Sequence, residues 1–241
     1  MKFAICFFGQ PRFLNNVCVQ RCYKDIIAKY NADVYVHNWV SGKNQKMDVS
    51  DFAKCHQISE NEDAAEQIIS IYKPKKYRFD APFRGELSDH ARNIAKTLGV
   101  YNENNERNLL SHLKSYSEAI RLIDDPEEYD FVLMTRFDAY LFEFPDLTKL
   151  DTKKMYLTKR YDGGWCDITQ LSGGKLASSF NVFDNIEILT KKIGDIKENF
   201  IAELYKRENY LLSNKMEDVV YLQDLSSGLV RSDNCIQQIQ T

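Results

Sequence analysis

The first two thirds of the chain alternate short apolar runs with segments of helical periodicity. Residues 3–8 form a continuous apolar run of strand length, which is typical of a strand buried on both faces of a parallel sheet. Residues 16–30 place apolar side chains at helical spacing, and residues 32–37 are a second short run rich in β-forming residues. The pattern predicts a strand, a helix and a strand in that order.

The same alternation continues beyond this first unit. The predicted elements are a helix at 62–72 that is stopped by Pro74, a weaker strand at 76–79, an amphipathic helix at 108–123 and a strand at 130–135. The polar stretch 80–107 is predicted to be a long excursion of the kind that often covers a binding site. Repeated strand–helix–strand units predict a mostly parallel central sheet with helices on both faces.

The last third of the chain is less regular. Its predicted elements are a strand at 155–158, helices at 177–192 and 196–210, and a last helix at 216–225. The sequence contains no internal repeat and no low-complexity linker. We therefore expect a single α/β domain over residues 1–241.

Charge and cysteine content narrow the classes of function. The formal net charge is -3, with no basic excess of the kind that nucleic-acid binding requires. The N-terminal apolar run is too short for a signal-peptide core, and no run approaches the length of a membrane-spanning helix. Six cysteines in a chain of 241 residues without a secretory signal are interpreted as reduced thiols. These features predict a cytoplasmic protein with no membrane span.

A charged pair follows the fourth predicted strand, where the apolar run continues directly into Arg136, Phe137 and Asp138. Ligands of parallel sheets gather at the carboxyl ends of the strands, so Asp138 is placed to bind a Mg²⁺ or Mn²⁺ ion that diphosphate oxygens share. The alternative is an ion pair between Arg136 and Asp138 at a strand end. The sequence leaves both interpretations open.

The turn after the first strand reads Gly9-Gln10-Pro11-Arg12. Glycine permits close approach of a ligand to the backbone, and the guanidinium of Arg12 can bind a diphosphate through two parallel hydrogen bonds. The alternative is an ordinary turn with a solvated arginine. Neither the dinucleotide-binding glycine pattern nor a P-loop is present.

Two aromatic residues follow the second strand. Trp39 is suited either to stacking on a base or sugar ring or to packing against the excursion at 80–107. His37 is more typical of a hydrogen-bonded structural residue than of a catalytic one.

Four segments of the chain, taken in their order along the sequence, resemble segments of small bacterial and viral glycosyltransferase-like proteins with the GT-A fold. The similar segments are 9–12, 33–39, 115–119 and 129–138. The resemblance implies a Rossmann-like GT-A domain with a nucleotide-sugar-binding half at 1–142 and an acceptor-side half at 143–241. It also implies a divalent ion, Mn²⁺ or Mg²⁺, as cofactor. Mapped onto this chain, the metal ligand is Asp138, and the donor-binding residues are Gly9, Gln10, Arg12, His37, Trp39, Ser115 and Arg136.

One departure from the family pattern concerns the metal. The first aspartate of the Asp-x-Asp motif is Arg136 here. Either one metal ligand is missing, or Arg136 itself contacts a phosphate.

The catalytic base is expected among acidic residues of the second half. Asp167 closes a segment at 161–167 that contains Gly163, Gly164 and Trp165 and is predicted to be a flexible loop. In similar inverting transferases an acidic pair opens a helix after the acceptor region and its second member is the base, which corresponds to Glu217 and Asp218 here. The alternatives are a surface turn for the first segment and an ordinary acidic helix start for the second.

The expected function is transfer of a sugar from a nucleotide-diphosphate sugar to a hydroxyl of a glycan or other acceptor, as in polysaccharide biosynthesis. A single direct displacement would invert the anomeric centre. Two alternatives remain open at this point. One is a nucleotidyltransferase that makes sugar nucleotides, and the other is a non-catalytic domain that binds a nucleotide sugar or a glycan.

Overall fold

The computed structural model describes residues 1–12, 14, 16–40, 63–81, 83, 85–86, 89, 92–93, 96, 103–159, 165–177, 219–221 and 226–229. For residues 103–109, 158–159, 165–168, 219–221 and 226–229 it describes the backbone alone. The predicted helix at 177–192, apart from Ala177, and the predicted helix at 196–210 lie outside the described residues.

A seven-stranded mixed sheet organises the described chain. Its strands in sheet order are β3 (Lys76–Asp80), β2 (Asp33–Trp39), β1 (Phe3–Gly9), β4 (Phe131–Arg136), β7 (Trp165–Ser172), β6 (Met155–Lys159) and β8 (Val219–Tyr221). Six of these strands point the same way and β7 runs against them. Strands β5 (Ala139–Glu143) and β9 (Ser226–Leu229) form a separate antiparallel pair. The predicted α/β fold with a mostly parallel sheet is confirmed.

Helices cover both faces of the sheet. The structure contains α1 (Val17–Tyr30), α2 (Ala64–Tyr72), α3 (Glu103–Arg121) and the short α4 (Gly174–Ala177). Odd-numbered side chains of β1, including Phe3 and Phe7, pack with α1 and α2, whereas even-numbered ones such as Phe8 pack with α3. Burial on both faces explains the unbroken apolar run of β1.

Both ends of helix α1 are set by residues next to them in the sequence, so the bounds of the helix were predictable. The side chain of Asn16 accepts hydrogen bonds from the backbone N–H groups of Cys18 and Val19 and so caps the helix. Asn31 ends the helix in the left-handed conformation, which asparagine tolerates better than most residues. The predicted helix therefore begins and ends within a residue of the observed one.

Two predictions in the second half are wrong. Residues 219–221, expected in a helix, form β8 and pair in parallel with β6. Trp165 and Asp167, expected in a flexible loop, lie in β7. In both cases pairing with a strand distant in sequence outweighs the local preference.

Candidate functional site

The carboxyl ends of three parallel strands meet at one edge of the sheet. Phe8 of β1 pairs with His37 of β2 on one side and with Arg136 of β4 on the other. The turn that follows β1 and the turn that follows β4 are therefore neighbours in space. This is the edge at which open parallel sheets bind ligands.

A buried aspartate lies between two arginines at this edge, and we name Arg12, Asp138 and Arg136 the arginine clamp. Arg136 donates from Nε to Oδ1 of Asp138 at 2.8 Å and from Nη2 to Oδ2 at 2.6 Å. Arg12 donates from Nη1 to Oδ2 at 3.3 Å. The ion-pair alternative for Arg136 and Asp138 is thus present, and Arg12 extends it to three residues.

The clamp is ordered by its surroundings. Gln10 accepts hydrogen bonds through Oε1 from both Nε and Nη2 of Arg12, at 3.0 and 2.5 Å. Phe137, between Arg136 and Asp138, is buried and stacks on Phe7 with ring centroids 4.9 Å apart. Gln10 thus fixes the direction of the Arg12 guanidinium, and the packing of Phe137 anchors the backbone between Arg136 and Asp138.

Exposure differs sharply within the clamp. The side chain of Asp138 is 2% exposed, whereas those of Arg12 and Arg136 are 14% and 20% exposed. The arginine side chains of the clamp are therefore more accessible from solvent than the side chain of Asp138.

Open space adjoins Gly9 at the end of β1. Its φ of 97° lies in the left-handed region, where side chains are strained and glycine is favoured. A β-carbon built there would meet no atom within 4 Å. The backbone N–H of Gly9 donates to Oγ of Ser115 at 2.7 Å, so α3 holds this turn from beneath.

His37 links Ser115 to the end of β3. Its Nδ1 lies 2.7 Å from Oγ of Ser115 and its Nε2 lies 3.2 Å from Oδ2 of Asp80. Because an ionised carboxylate can accept but not donate, the proton of the neutral ring belongs on Nε2. Nδ1 then accepts from the Ser115 hydroxyl, whose oxygen accepts from Gly9.

The ionisation of this pair follows from its surroundings. Burial lowers the pKa of His37 below its ordinary value, although Asp80 opposes the shift. Burial would raise the pKa of Asp80, but hydrogen bonds from His37 and Arg78 outweigh it and the net pKa is lowered. The pair is therefore a neutral histidine beside a carboxylate that Arg78 also contacts.

His37, Ser115 and Trp39 support the site from within. His37 and Ser115 are fully buried, and Trp39 is 2% exposed, with its ring roughly perpendicular to that of His37 and the ring centroids 4.7 Å apart. Trp39 is therefore a packed residue, with His37 as its ring contact, and His37 is hydrogen-bonded on both ring nitrogens. Their direct contact with a donor stays a prediction.

Two polar residues of this edge were missed by the sequence analysis. Asp80 ends β3 and accepts a hydrogen bond from His37. Its place at the carboxyl end of a strand is a sequence signal for a site residue. Asn38, which pairs with Gly9, is fully buried and neither atom of its amide has a hydrogen-bond partner. No sequence signal separates this asparagine from one that is satisfied.

The remaining predicted residues lie partly beyond the described structure. Glu217 and Asp218 lie outside the described residues, and for Asp167 only the backbone is described. Among the residues that are described, no three His, Cys, Asp or Glu side chains are grouped so as to hold a metal ion. Within the same residues, no helix is long and apolar enough to cross a membrane.

Comparisons with known proteins give structural likeness without sequence similarity. No protein-family model matches the chain, and no curated protein sequence matches it. Core-mannan synthase A from Aspergillus fumigatus, in its Mn/GDP form, superposes with a TM-score of 0.55 at 9% identity, over 95% of this chain and 75% of that one.

Two further solved structures are similar at lower scores. Mouse xyloside xylosyltransferase 1 in its apo form has a TM-score of 0.42 at 8% identity, over 92% of this chain and 84% of that one. A glycosyltransferase involved in glycosylation of the major capsid of PBCV-1 has a TM-score of 0.40 at 9% identity, over 100% of this chain and 98% of that one.

At 9% identity the likeness to core-mannan synthase A is one of fold, and it extends over 95% of the chain. It agrees with the sheet order, in which four parallel strands bring the clamp and Gly9 to one edge. The chain has the GT-A-type α/β fold of glycosyltransferases, as its sequence resemblance predicts.

Proposed function

We propose that this chain is a glycosyltransferase that moves a sugar from a nucleotide-diphosphate sugar to a hydroxyl of a glycan or other acceptor. The observation on which the proposal rests is the arginine clamp, which presents two guanidinium groups at the ligand-binding edge of a GT-A-type sheet. Core-mannan synthase A, which has the same fold, has been solved with Mn and GDP. In this proposal, residues 1–142 bind the donor and residues 143–241 bind the acceptor.

The reaction breaks the bond between the anomeric carbon and the diphosphate oxygen and forms a bond from that carbon to the acceptor oxygen. The departing nucleoside diphosphate gains negative charge, which Arg12 and Arg136 are placed to offset. The acceptor hydroxyl loses its proton to a carboxylate. One direct displacement inverts the anomeric centre.

Among the candidate bases, the described backbone favours Asp167. Strand β7 runs against β4, and Thr169 pairs with Thr135, so Asp167 lies two residues further toward the edge that carries the clamp. Val219, in contrast, pairs with Met155, which is at the level of Ser172 and Val132 toward the opposite edge. We therefore propose Asp167 as the base and keep Glu217 and Asp218, which lie outside the described residues, as the second choice.

The residues present do not fit a divalent ion on Asp138 as they are arranged. Mn²⁺ or Mg²⁺ requires a carboxylate oxygen in direct contact, but both oxygens of Asp138 accept hydrogen bonds from guanidinium groups. An ion would also have to approach two positive charges. We therefore assign no step of the reaction to a metal.

The test is a panel of UDP-, GDP- and dTDP-sugars with release of nucleoside diphosphate as the readout. We expect turnover of one donor class, with Asp167→Asn lowering kcat about 100-fold or more while donor affinity is retained. Asp25→Asn, on an exposed face of α1, is the matched control and should behave as wild type.

The two alternatives are separated by the same panel. Release of pyrophosphate instead of nucleoside diphosphate would establish a nucleotidyltransferase. Binding of a nucleotide sugar without turnover, in the presence of a broad set of sugar acceptors, would establish a non-catalytic binding domain.

A further inference from the structure

The arrangement around Asp138 reverses the usual order of charges at a metal-assisted diphosphate site. There, carboxylates face the ligand and a cation lies between them and the phosphates. Here the side chain of Asp138 is 2% exposed, and the side chains of the two arginines that contact it are 14% and 20% exposed. Within the clamp, the more accessible side chains are thus arginines, which carry positive charge without a metal ion.

The geometry of Arg136 makes displacement by an ion costly. Its two hydrogen bonds, at 2.8 and 2.6 Å, form a bidentate fork on both oxygens of Asp138. Arg12 adds a third contact at 3.3 Å. A metal ion that took one of these oxygens would compete with charge-assisted hydrogen bonds in a buried setting and would approach two positive guanidinium groups.

The same contacts organise both arginines as anion-binding groups. Gln10 holds Arg12 through two of its nitrogen atoms, and Asp138 holds Arg136 through two of its own. Open space adjoins Gly9 at the end of β1, the strand that precedes Arg12 and pairs with β4, and it allows a ligand to approach the backbone. Arginines held in advance of binding lose little conformational freedom when a phosphate arrives.

We propose that Arg12 and Arg136 neutralise the donor diphosphate directly and without a divalent ion, and that Asp138 is a positioning residue for these arginines. This inference rests on the proposed function for the choice of a nucleoside diphosphate as ligand. It assigns phosphate binding to Arg136, which stands where the Asp-x-Asp motif has its first aspartate.

Calorimetric titration with UDP, GDP and dTDP tests the inference in EDTA and again with Mn²⁺. We expect one nucleotide to bind in EDTA with a Kd within about twofold of its value in Mn²⁺. Arg12→Ala and Arg136→Ala should each raise this Kd about 10- to 100-fold, because each removes charge-assisted hydrogen bonds to the ligand. Arg21→Ala, on the exposed face of α1, is the control and should leave the Kd unchanged.

A double-mutant cycle tests the role of Asp138. As a positioning residue, Asp138→Asn should weaken binding equally in EDTA and in Mn²⁺, and the loss should be much smaller in an Arg136→Ala background. Circular dichroism of each variant identifies any that fail to fold. Arg136→Lys keeps the charge without the fork and should lie between wild type and Arg136→Ala.

The outcomes separate this inference from the proposed function. Nucleotide binding that requires Mn²⁺, or an Asp138→Asn effect confined to Mn²⁺, would overturn the metal-free clamp and leave the glycosyltransferase proposal standing. Absence of binding to every nucleotide, with and without Mn²⁺, would overturn both.

Discussion

The parallel strands of the sheet begin at one edge, the amino edge, and end at the other, the carboxyl edge. Both edges contain a carboxylate paired with a basic side chain, but the two carboxylates differ in exposure. At the amino edge, Asp33 accepts hydrogen bonds from Nζ of Lys75 at 2.7 Å and from the hydroxyl of Tyr129 at 2.5 Å, and the side chains of Asp33 and Lys75 are 34% and 51% exposed. At the carboxyl edge, Asp138 is 2% exposed between two arginines.

The difference concerns what each carboxylate does for its neighbours. Water can solvate Asp33 and Lys75 separately, so their ion pair contributes little to stability. Asp138 is hidden from water, and its removal would take from Arg12 and Arg136 a negative partner that limited exposure to water only partly replaces. The amino edge therefore resembles an ordinary surface, whereas the carboxyl edge is built around a charge cluster that a ligand would contact.

The largest expected effect is a difference in stability between matched substitutions at the two edges. Asp138→Asn should lower the free energy of unfolding by about 3 kcal/mol, because it leaves two arginines without the buried carboxylate that they contact. Asp33→Asn is the matched change at the amino edge and should cost much less. Urea denaturation of both variants at pH 7.5 measures the difference.

Equal losses of stability in the two variants would contradict this account. They would mean that Arg12 and Arg136 find other solvation when Asp138 is neutral. The clamp would then be an incidental ion pair at a strand end.

The next effect concerns backbone strain at the carboxyl edge. Gly9→Ala should destabilise the protein by about 1 to 2 kcal/mol, because φ of 97° is unfavourable for alanine. Steric overlap should add nothing, since no atom lies within 4 Å of the added carbon. Urea denaturation gives the cost, and nucleotide titration of the same variant shows whether the methyl group also obstructs the open space. An unchanged free energy of unfolding would show that the turn relaxes to another conformation.

The fold was predictable for strands that are buried on both faces and for a helix whose capping residue lies next to it in the sequence. Strands β1, β2 and β4 are covered on both faces, so they appear in the sequence as apolar runs, and Asn16 marks the start of α1 beside its own helix. Strand β8 gave no such signal, because its three described residues depend on pairing with β6.

The candidate site was predictable to the same extent. Arg136 and Asp138 are two residues apart and were recognised together. Arg12 joins them from 126 residues away, and that contact requires β1 and β4 to be neighbours in the sheet. The greater exposure of the arginine side chains than of the Asp138 side chain is a three-dimensional property that no local pattern encodes.

A smaller effect uses pH to separate the two edges. His37 has a lowered pKa, chiefly through burial, so its contribution to stability is fully present above its ordinary value of 6.5 and is lost as pH falls below it. Asp33 also has a lowered pKa: burial would raise it, but hydrogen bonds from Lys75 and Tyr129 dominate. Its contribution is therefore lost only below its ordinary value of 3.8. Between pH 7.5 and 5.5, only the carboxyl edge should respond.

His37→Gln should therefore reduce the loss of stability between pH 7.5 and 5.5 by about 1 kcal/mol. Urea denaturation of wild type and variant at both pH values is the measurement. Asp33→Asn is the control and should retain the wild-type pH dependence. If His37→Gln also retains it, other groups are responsible for the acid sensitivity.

The smallest effect tests left-handed backbone at the amino edge, where a side chain is tolerated. Lys73 ends α2 with φ of 47°, and its N–H donates to the carbonyl of Ile69 at 2.9 Å. Lys73→Gly should relieve the strain of a side chain in this conformation but increase the freedom of the unfolded chain, which leaves a net gain of about 0.5 kcal/mol. The sign is opposite to that of Gly9→Ala, although both residues have positive φ.

Thermal and urea denaturation should show a small stabilisation with nucleotide affinity unchanged, because Lys73 is remote from the clamp. A loss of affinity in Lys73→Gly would show that the amino edge also communicates with the ligand-binding edge, and the contrast between the two edges would no longer hold.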